Sequence, residues 1–193
     1  VFRRMAVPTG IDLGRCGGVL IDVCGTGADR LDTFNISTAT MFVVAAAGVH
    51  VAKHGNRSIT SQSGGADVLE ALGVRIDLSP EQTRACVEEL GLGFLFAPHY
   101  HPAFKHVATA RKLLAQRGSH SIFNFLGPLL NPAPITHQLV GLSQRGMLET
   151  YGEVLRTLGR HKAWVVHGFI DKTETVGMDE VSVLGPTLVA DVT

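Results

Sequence analysis

Short apolar runs set between segments of helical pattern restrict this chain more than any other feature. VLIDVCG (19–25), VHVAKHG (49–55), GFLFAP (93–98), HQLVGL (137–142) and KAWVVHG (162–168) read as strands. The first is apolar almost throughout and closes on glycine, which suits a strand covered on both faces of a parallel sheet. The intervening patterns predict helices over 37–47, 66–72, 80–90 and 147–159, and one amphipathic helix over 102–118. Ser79 caps the third of these, Pro80 takes its first position and Gln82 completes a capping box. Asn35, Ser37 or Thr38 opens the first, and Gly48 and Gly73 stop the first and second. The closing TLVADVT reads as a further strand. Strands alternating with helices imply an α/β fold with a mostly parallel sheet flanked by helices. Ligands of such sheets sit outside the carboxyl ends of the strands, so loops that follow strands should gather at one rim.

The 193 residues suit one domain over 1–193, and 45% hydrophobic with 18% charged residues describes a globular chain. Lys and Arg balance Asp and Glu at a formal net charge of 0, so nothing draws the whole molecule to nucleic acid or an acidic membrane. Any anion site must be built locally. Cys16, Cys24 and Cys86 lack metal-ligand spacing and read as reduced thiols filling apolar space in a cytoplasmic protein. No run approaches the ~18 apolar residues of a membrane span. The chain opens on Val-Phe-Arg-Arg without an initiator Met and stops on a strand, so both ends read as fragment boundaries.

The loop after the first strand, Gly25 to Thr38, has the chemistry of an anion cradle. Gly25 and Gly27 can take positive φ and bring backbone N–H groups close to a ligand. Asn35, Ser37 and Thr38 place donors beside a helix N-terminus, where free N–H groups favour phosphate. An ordinary capped turn would explain the glycines alone. Asp29 and Asp32 would repel phosphate and fit sugar hydroxyls or the surroundings of a metal. The next loop, KHGNRSITSQSGGAD (53–67), supplies Lys53 and Arg57 as charge, His54 and Asn56 as directed polar groups, and Ser58, Thr60 and Ser61 as hydroxyls. A solvated loop is the alternative there. Two such loops on successive strands are what a substrate with separated anionic ends requires. Asp179 and Glu180 in GMDEVS (177–182) suit Mg²⁺ held by carboxylates, water and substrate phosphate. Arg111 can pair with a carboxylate, or be an exposed helix arginine. His99, His101 and His106 follow no metal-site pattern. The segment SIFNFLGPLLNP, with Asn124, Gly127, Pro128, Asn131 and Pro132, is stiff enough to wall a pocket or simply to pack.

These segments, GTGADRLDTFNIST, KHGNRSITSQSGGADVLEALG, FLFAPHYHPAFKHVATAR, IFNFLGPLLNP and GMDEVS, resemble anthranilate phosphoribosyltransferase in order, from about residue 20 to residue 182. The resemblance implies the nucleoside phosphorylase/phosphoribosyltransferase-like fold, with the N-terminal helical domain of the family largely absent and 99–117 a possible part of it. It implies transfer of a 5-phosphoribosyl group from phosphoribosyl pyrophosphate to anthranilate, with Mg²⁺, in tryptophan biosynthesis, and a homodimer for the full-length protein. By matching position, Gly25, Ala28, Asp29, Thr33, Asn35, Ile36, Ser37 and Thr38 would contact phosphoribosyl pyrophosphate. Lys53, His54, Gly55, Asn56, Arg57, Ser58, Ile59, Thr60 and Ser61 would cover its phosphates. Ser37, Asp179 and Glu180 would hold Mg²⁺. Gly25, Asn56 and Arg111 would meet anthranilate, with His54, Tyr100 and His101 nearby. No acid–base residue is expected; Lys53, Asn56 and Arg111 would act by positioning.

The chain departs from the family at several points. Ala28 and Gly65 replace the usual Gly and Ser, and the link between Arg111 and IFN is about three residues longer. The helical segment and the later elements that the resemblance implies would fall before residue 1 and after residue 193. These departures leave two alternatives: a paralogue using another acceptor, and a non-catalytic relative that binds nucleic acid.

Overall fold

The structure, a computed structural model, describes every residue except Ala28, Arg30, Asp32, 59–62 and 118–120, together with the side chains of Lys112 and Ala115. Its centre is β1 (Leu20–Gly25), which is apolar toward both sides. Leu20 packs with Val87, Leu95 and Tyr100, whereas Val23 points the other way against Met41 and Leu69. That alternation follows from the period of two in a strand and explains the near-continuous apolar run.

From β1 the chain passes through α1 (Ile36–Ala46), β2 (His50–Gly55), α2 (Gly65–Ala71), α3 (Pro80–Leu90) and β3 (Leu92–Phe96). A short α4 (Ala97–Tyr100), α5 (Ala108–Gln116) and α6 (Phe123–Leu126) lead to β4 (His137–Gly141). Then come α7 (Leu148–Thr157), β5 (Lys162–Phe169), β6 (Gly177–Met178) and β7 (Thr187–Val192). The strand order is β3-β2-β1-β4-β5, all parallel, with β6 and β7 pairing antiparallel to β5. The mostly parallel α/β sheet read from the sequence is therefore present. The chain winds outward from β1 to β3 and resumes on β1's other side with β4. A crevice opens where the order reverses, outside the carboxyl ends of β1 and β4.

The helix signals behaved locally. Ser79 accepts from the Gln82 N–H while the Gln82 side chain accepts from the Ser79 N–H, and Pro80 opens α3 as predicted. Asn35 holds the cap position of α1, but its amide donates to Ser63 Oγ at 3.0 Å instead of serving the helix. The helix expected over 102–118 is divided. Pro102–Val107 winds as a 3₁₀ helix and only Ala108–Gln116 is α-helical. The tighter turn accompanies packing of Phe104 on Phe2, a contact 102 residues distant in sequence and invisible to helical periodicity. All three cysteines are free, with Cys16 and Cys24 buried. Among the described residues no helix is long and apolar enough to cross a membrane.

Candidate active site

β1 ends at Gly25 directly beside Gly141 of β4, and the Thr26 N–H donates to the Gly141 carbonyl at 2.9 Å. The segment carrying Asp179 lies across both glycines. A Cβ on Gly25 would overlap the Asp179 carboxylate, and one on Gly141 would overlap the Asp179 backbone carbonyl. Space, not φ, is what requires glycine at 25. The positive φ anticipated there belongs to Gly27 alone of the pair, at 69°, because Gly25 still pairs in the strand.

Asp179 is buried, and its Oδ2 accepts from the Gly27 N–H at 2.6 Å. Burial raises its pKa to about 6, with the charge of Asp29 adding to the shift. Asp29 itself accepts from the Leu31 N–H at 3.2 Å, closing a local turn. Glu180 is pushed up to about 7, again by burial first and then by Asp179. The charge of Lys53 pulls in the other direction, with the nearby Ser37 backbone N–H adding to it. The Gly27 N–H expected to cradle an anion thus faces the protein's own carboxylate.

Lys53 lies beneath this acidic pair. Its side chain is buried, donating to the Val23 carbonyl at 2.6 Å and to Ser37 Oγ at 3.0 Å. The cation expected in a loop is instead built into the floor, because β2 carries it inward beside α1. Below it Asp22 is fully buried and accepts from the His54 N–H and the Gln138 amide, both at 3.3 Å. Gln138 in turn accepts from Arg160 Nε at 2.8 Å. Burial raises the pKa of Asp22, opposed chiefly by the charge of Lys53. This polar row was missed in the sequence. Its signal was the Asp interrupting an apolar strand, since a buried carboxylate must find partners.

The second loop is divided by the structure. Ile59, Thr60 and Ser61 lie outside the described residues, as do Ala28 and Asp32 of the first loop. Arg57 turns away to pair with Glu70, at 2.8 Å through Nη2, and with Asp67 at 3.7 Å. Its guanidinium also lies 5.5 Å from the Phe96 ring centroid. Asp67 collects the N–H groups of Ser58 and Gly64, so this acid organises the loop's entry into α2. Asn56 is exposed and accepts from the Arg57 N–H at 2.8 Å. Thr33 is exposed, while Thr38 is buried with no hydrogen-bond partner for its hydroxyl among the described residues. A Cβ on Gly65 would stand 2.9 Å from that hydroxyl. A cavity of about 640 Å³ beside α1 and α2 is lined by Thr33, Asn35 and Thr38 together with apolar Phe34, Phe42 and Leu72.

A second group of predicted residues meets at the end of β2. His54 and His101 stand edge to face with centroids 5.0 Å apart. Burial holds His54 down to about 3 and lowers His101 as well, so both rings are neutral at pH 7. His101 continues to Phe104 at 6.0 Å, and the Arg111 guanidinium lies 5.3 Å from Phe104 and 5.6 Å from Phe123. Asn131 is buried, bonding the Ala52 carbonyl at 2.8 Å and the Ala133 N–H at 2.9 Å, so it packs the fold.

Mg²⁺ demands hard oxygen donors and commonly takes one or two from protein, the rest from water and phosphate. Asp179, Glu180 and Ser37 Oγ fit that demand: the carboxylates share a buried space, and proximity to one another and Asp29 makes their ionisation costly. Among the described residues no three His, Cys, Asp or Glu surround one metal point.

A doubly wound sheet with hydroxyls, a cation and acids converging on its switch point is the frame of a group-transfer domain. Residues 17–193 match the model for "Glycosyl transferase family, a/b domain", and the chain belongs to that family. Within it, the chain is 54% identical over 173 residues to the anthranilate phosphoribosyltransferase of Persephonella marina, covering 90% of this chain and 48% of that protein. The crystal structure of anthranilate phosphoribosyltransferase from Thermus thermophilus superposes with a TM-score of 0.85 at 41% identity, over 99% of this chain and 53% of the other. The Saccharomyces cerevisiae enzyme in complex with PRPP and Mg superposes at 0.84 with 28% identity, over 100% of this chain and 52% of that one. The chain therefore spans about half the length of the relatives it matches.

Proposed function

We propose that this chain carries the phosphoribosyl-transfer site of an anthranilate phosphoribosyltransferase. It would join the 5-phosphoribosyl group of phosphoribosyl pyrophosphate to the amine of anthranilate and release pyrophosphate. The observation that carries the reading is the meeting of Gly27, Ser37, Lys53, Asp179 and Glu180 at one end of the parallel sheet. The yeast relative bound to PRPP and Mg supports both the donor and the ion.

In this reading the C1–oxygen bond to pyrophosphate breaks as the C1–nitrogen bond to anthranilate forms, and the amine gives up one proton to the departing pyrophosphate or to water. Bound Mg²⁺ would neutralise the leaving group's charge. Asp179, Glu180 and Ser37 would hold it, and Lys53 would sustain the positive field under the phosphates. Backbone N–H groups at Gly27 and Ser37 would donate to phosphate oxygens. His54 and His101, neutral and buried, would line the acceptor's path without serving as acids at pH 7. Arg111 would take the acceptor's carboxylate. Holding the two reactants face to face can supply roughly 7–11 kcal/mol of the barrier without any acid–base residue. The reading also includes a cytoplasmic location and a homodimer for the full-length protein.

Calorimetric titration with phosphoribosyl pyrophosphate, with and without Mg²⁺, tests this directly. Metal-dependent binding is expected, and a folded sample that shows none overturns the assignment. The longer link after Arg111 favours a second reading, an aromatic amine other than anthranilate. An acceptor screen that follows pyrophosphate release separates the two.

A further inference from the structure

Arg111 would be a poor anchor if it behaved as a free helix arginine, because its many rotamers would have to be frozen whenever a carboxylate arrived. Its surroundings are otherwise. The guanidinium lies 5.3 Å from the Phe104 centroid and 5.6 Å from that of Phe123, both within cation–π range. The two rings stand 71° apart with centroids 6.3 Å from each other, so they form two walls of a corner. Phe2 closes the back of that corner, 4.4 Å from Phe104 and 6.2 Å from Phe123. It arrives from a 3₁₀ turn, Phe2–Met5, that precedes the family-matched region. Among the described residues no carboxylate pairs with Arg111. The cation is therefore held by aromatic faces while its N–H donors stay available.

We propose that Phe104 and Phe123, braced by Phe2, are positioning residues that preorganise Arg111 and so set the affinity for the acceptor's carboxylate. The proposal rests on the reading that Arg111 meets that carboxylate. The row Arg111, Phe104, His101, His54 then links the carboxylate anchor to the end of β2, which fixes how far the acceptor's ring stands from the phosphate rim.

The test measures two affinities and one geometry on the full chain. Phe104→Leu should weaken anthranilate binding roughly tenfold, with phosphoribosyl pyrophosphate and Mg²⁺ bound within about twofold of the unaltered chain. Phe104→Tyr keeps the ring face and should restore anthranilate binding to within about twofold. The Arg111 Nε–H resonance should carry a ring-current shift that Phe104→Leu abolishes and Phe104→Tyr retains. Unchanged anthranilate affinity in Phe104→Leu, or an equal loss for both ligands, overturns the positioning role. An unaltered chain that binds phosphoribosyl pyrophosphate but no anthranilate overturns the acceptor reading, and one that binds neither overturns the function; the proposal falls with each.

Discussion

The Asp179 carboxylate accepts from the Gly27 backbone N–H at 2.6 Å across 152 positions of sequence. A loop whose glycine-rich chemistry suits phosphate is here engaged by an acid of the same chain. Both acids sit above their ordinary pKa, Asp179 at about 6 and Glu180 at about 7, mainly through burial. The folded protein thus holds protons that the unfolded chain has already lost. Stability from these groups is complete below about pH 4 and is lost as pH rises toward about 7. The melting temperature of ligand-free protein should fall more steeply over that window than that of Asp179→Asn. Parallel curves for the two proteins would show that Asp179 is not held protonated.

Lys53→Met should be costly. It leaves the Val23 carbonyl and Ser37 hydroxyl without their donor and removes the cation that opposes ionisation penalties at Asp22 and Glu180. A loss of about 1–3 kcal/mol is expected from the unpaired acceptor, or roughly 2–10 °C in melting temperature. Lys53→Arg should not rescue metal-dependent binding of phosphoribosyl pyrophosphate, because a planar fork cannot repeat an ammonium's two contacts in a closed space. Calorimetry on both variants decides it.

Gly25→Ala introduces a methyl group where the Asp179 carboxylate lies. Overpacking of this kind typically costs about 1–3 kcal/mol, and here relief requires the 177–182 segment to move off the rim. The variant should melt lower and lose Mg²⁺-dependent binding together. Retained binding with a lowered melting temperature would separate the strand's packing from the placement of Asp179.

Gly65→Ser tests the departure from the family pattern. The new Cβ would press on Thr38 Oγ1 at 2.9 Å, an atom that can yield by side-chain rotation and has no partner to lose among the described residues. A serine hydroxyl can pair with it. The melting temperature should stay within about 2 °C, since a net hydrogen bond of about 1 kcal/mol offsets the contact. A drop well beyond that would show that α2 approaches α1 too closely for any side chain at 65.

Much of the framework was legible in the residues themselves. The runs at 19–25, 49–55 and 162–168 became β1, β2 and β5, and the Ser79–Gln82 box opened α3 as written. These depend on neighbours a few positions away, and backbone propensity, caps and periodicity act over that range. The gathering of strand-following loops at one rim was legible too, because parallel strands leave no other place for them.

Tertiary structure decided the rest. Sequence placed Lys53 and Arg57 together as loop cations. The fold buried the first under Ser37 and gave the second to Glu70. It brought Asp179 onto Gly25 and Gly141, and Phe2 onto Phe104 in front of Arg111. Each of these contacts joins segments whose distance is set by strand order and helix packing. Side-chain pairing across such gaps has no local signature, since its energy is realised only after the sheet has closed the loop between the partners.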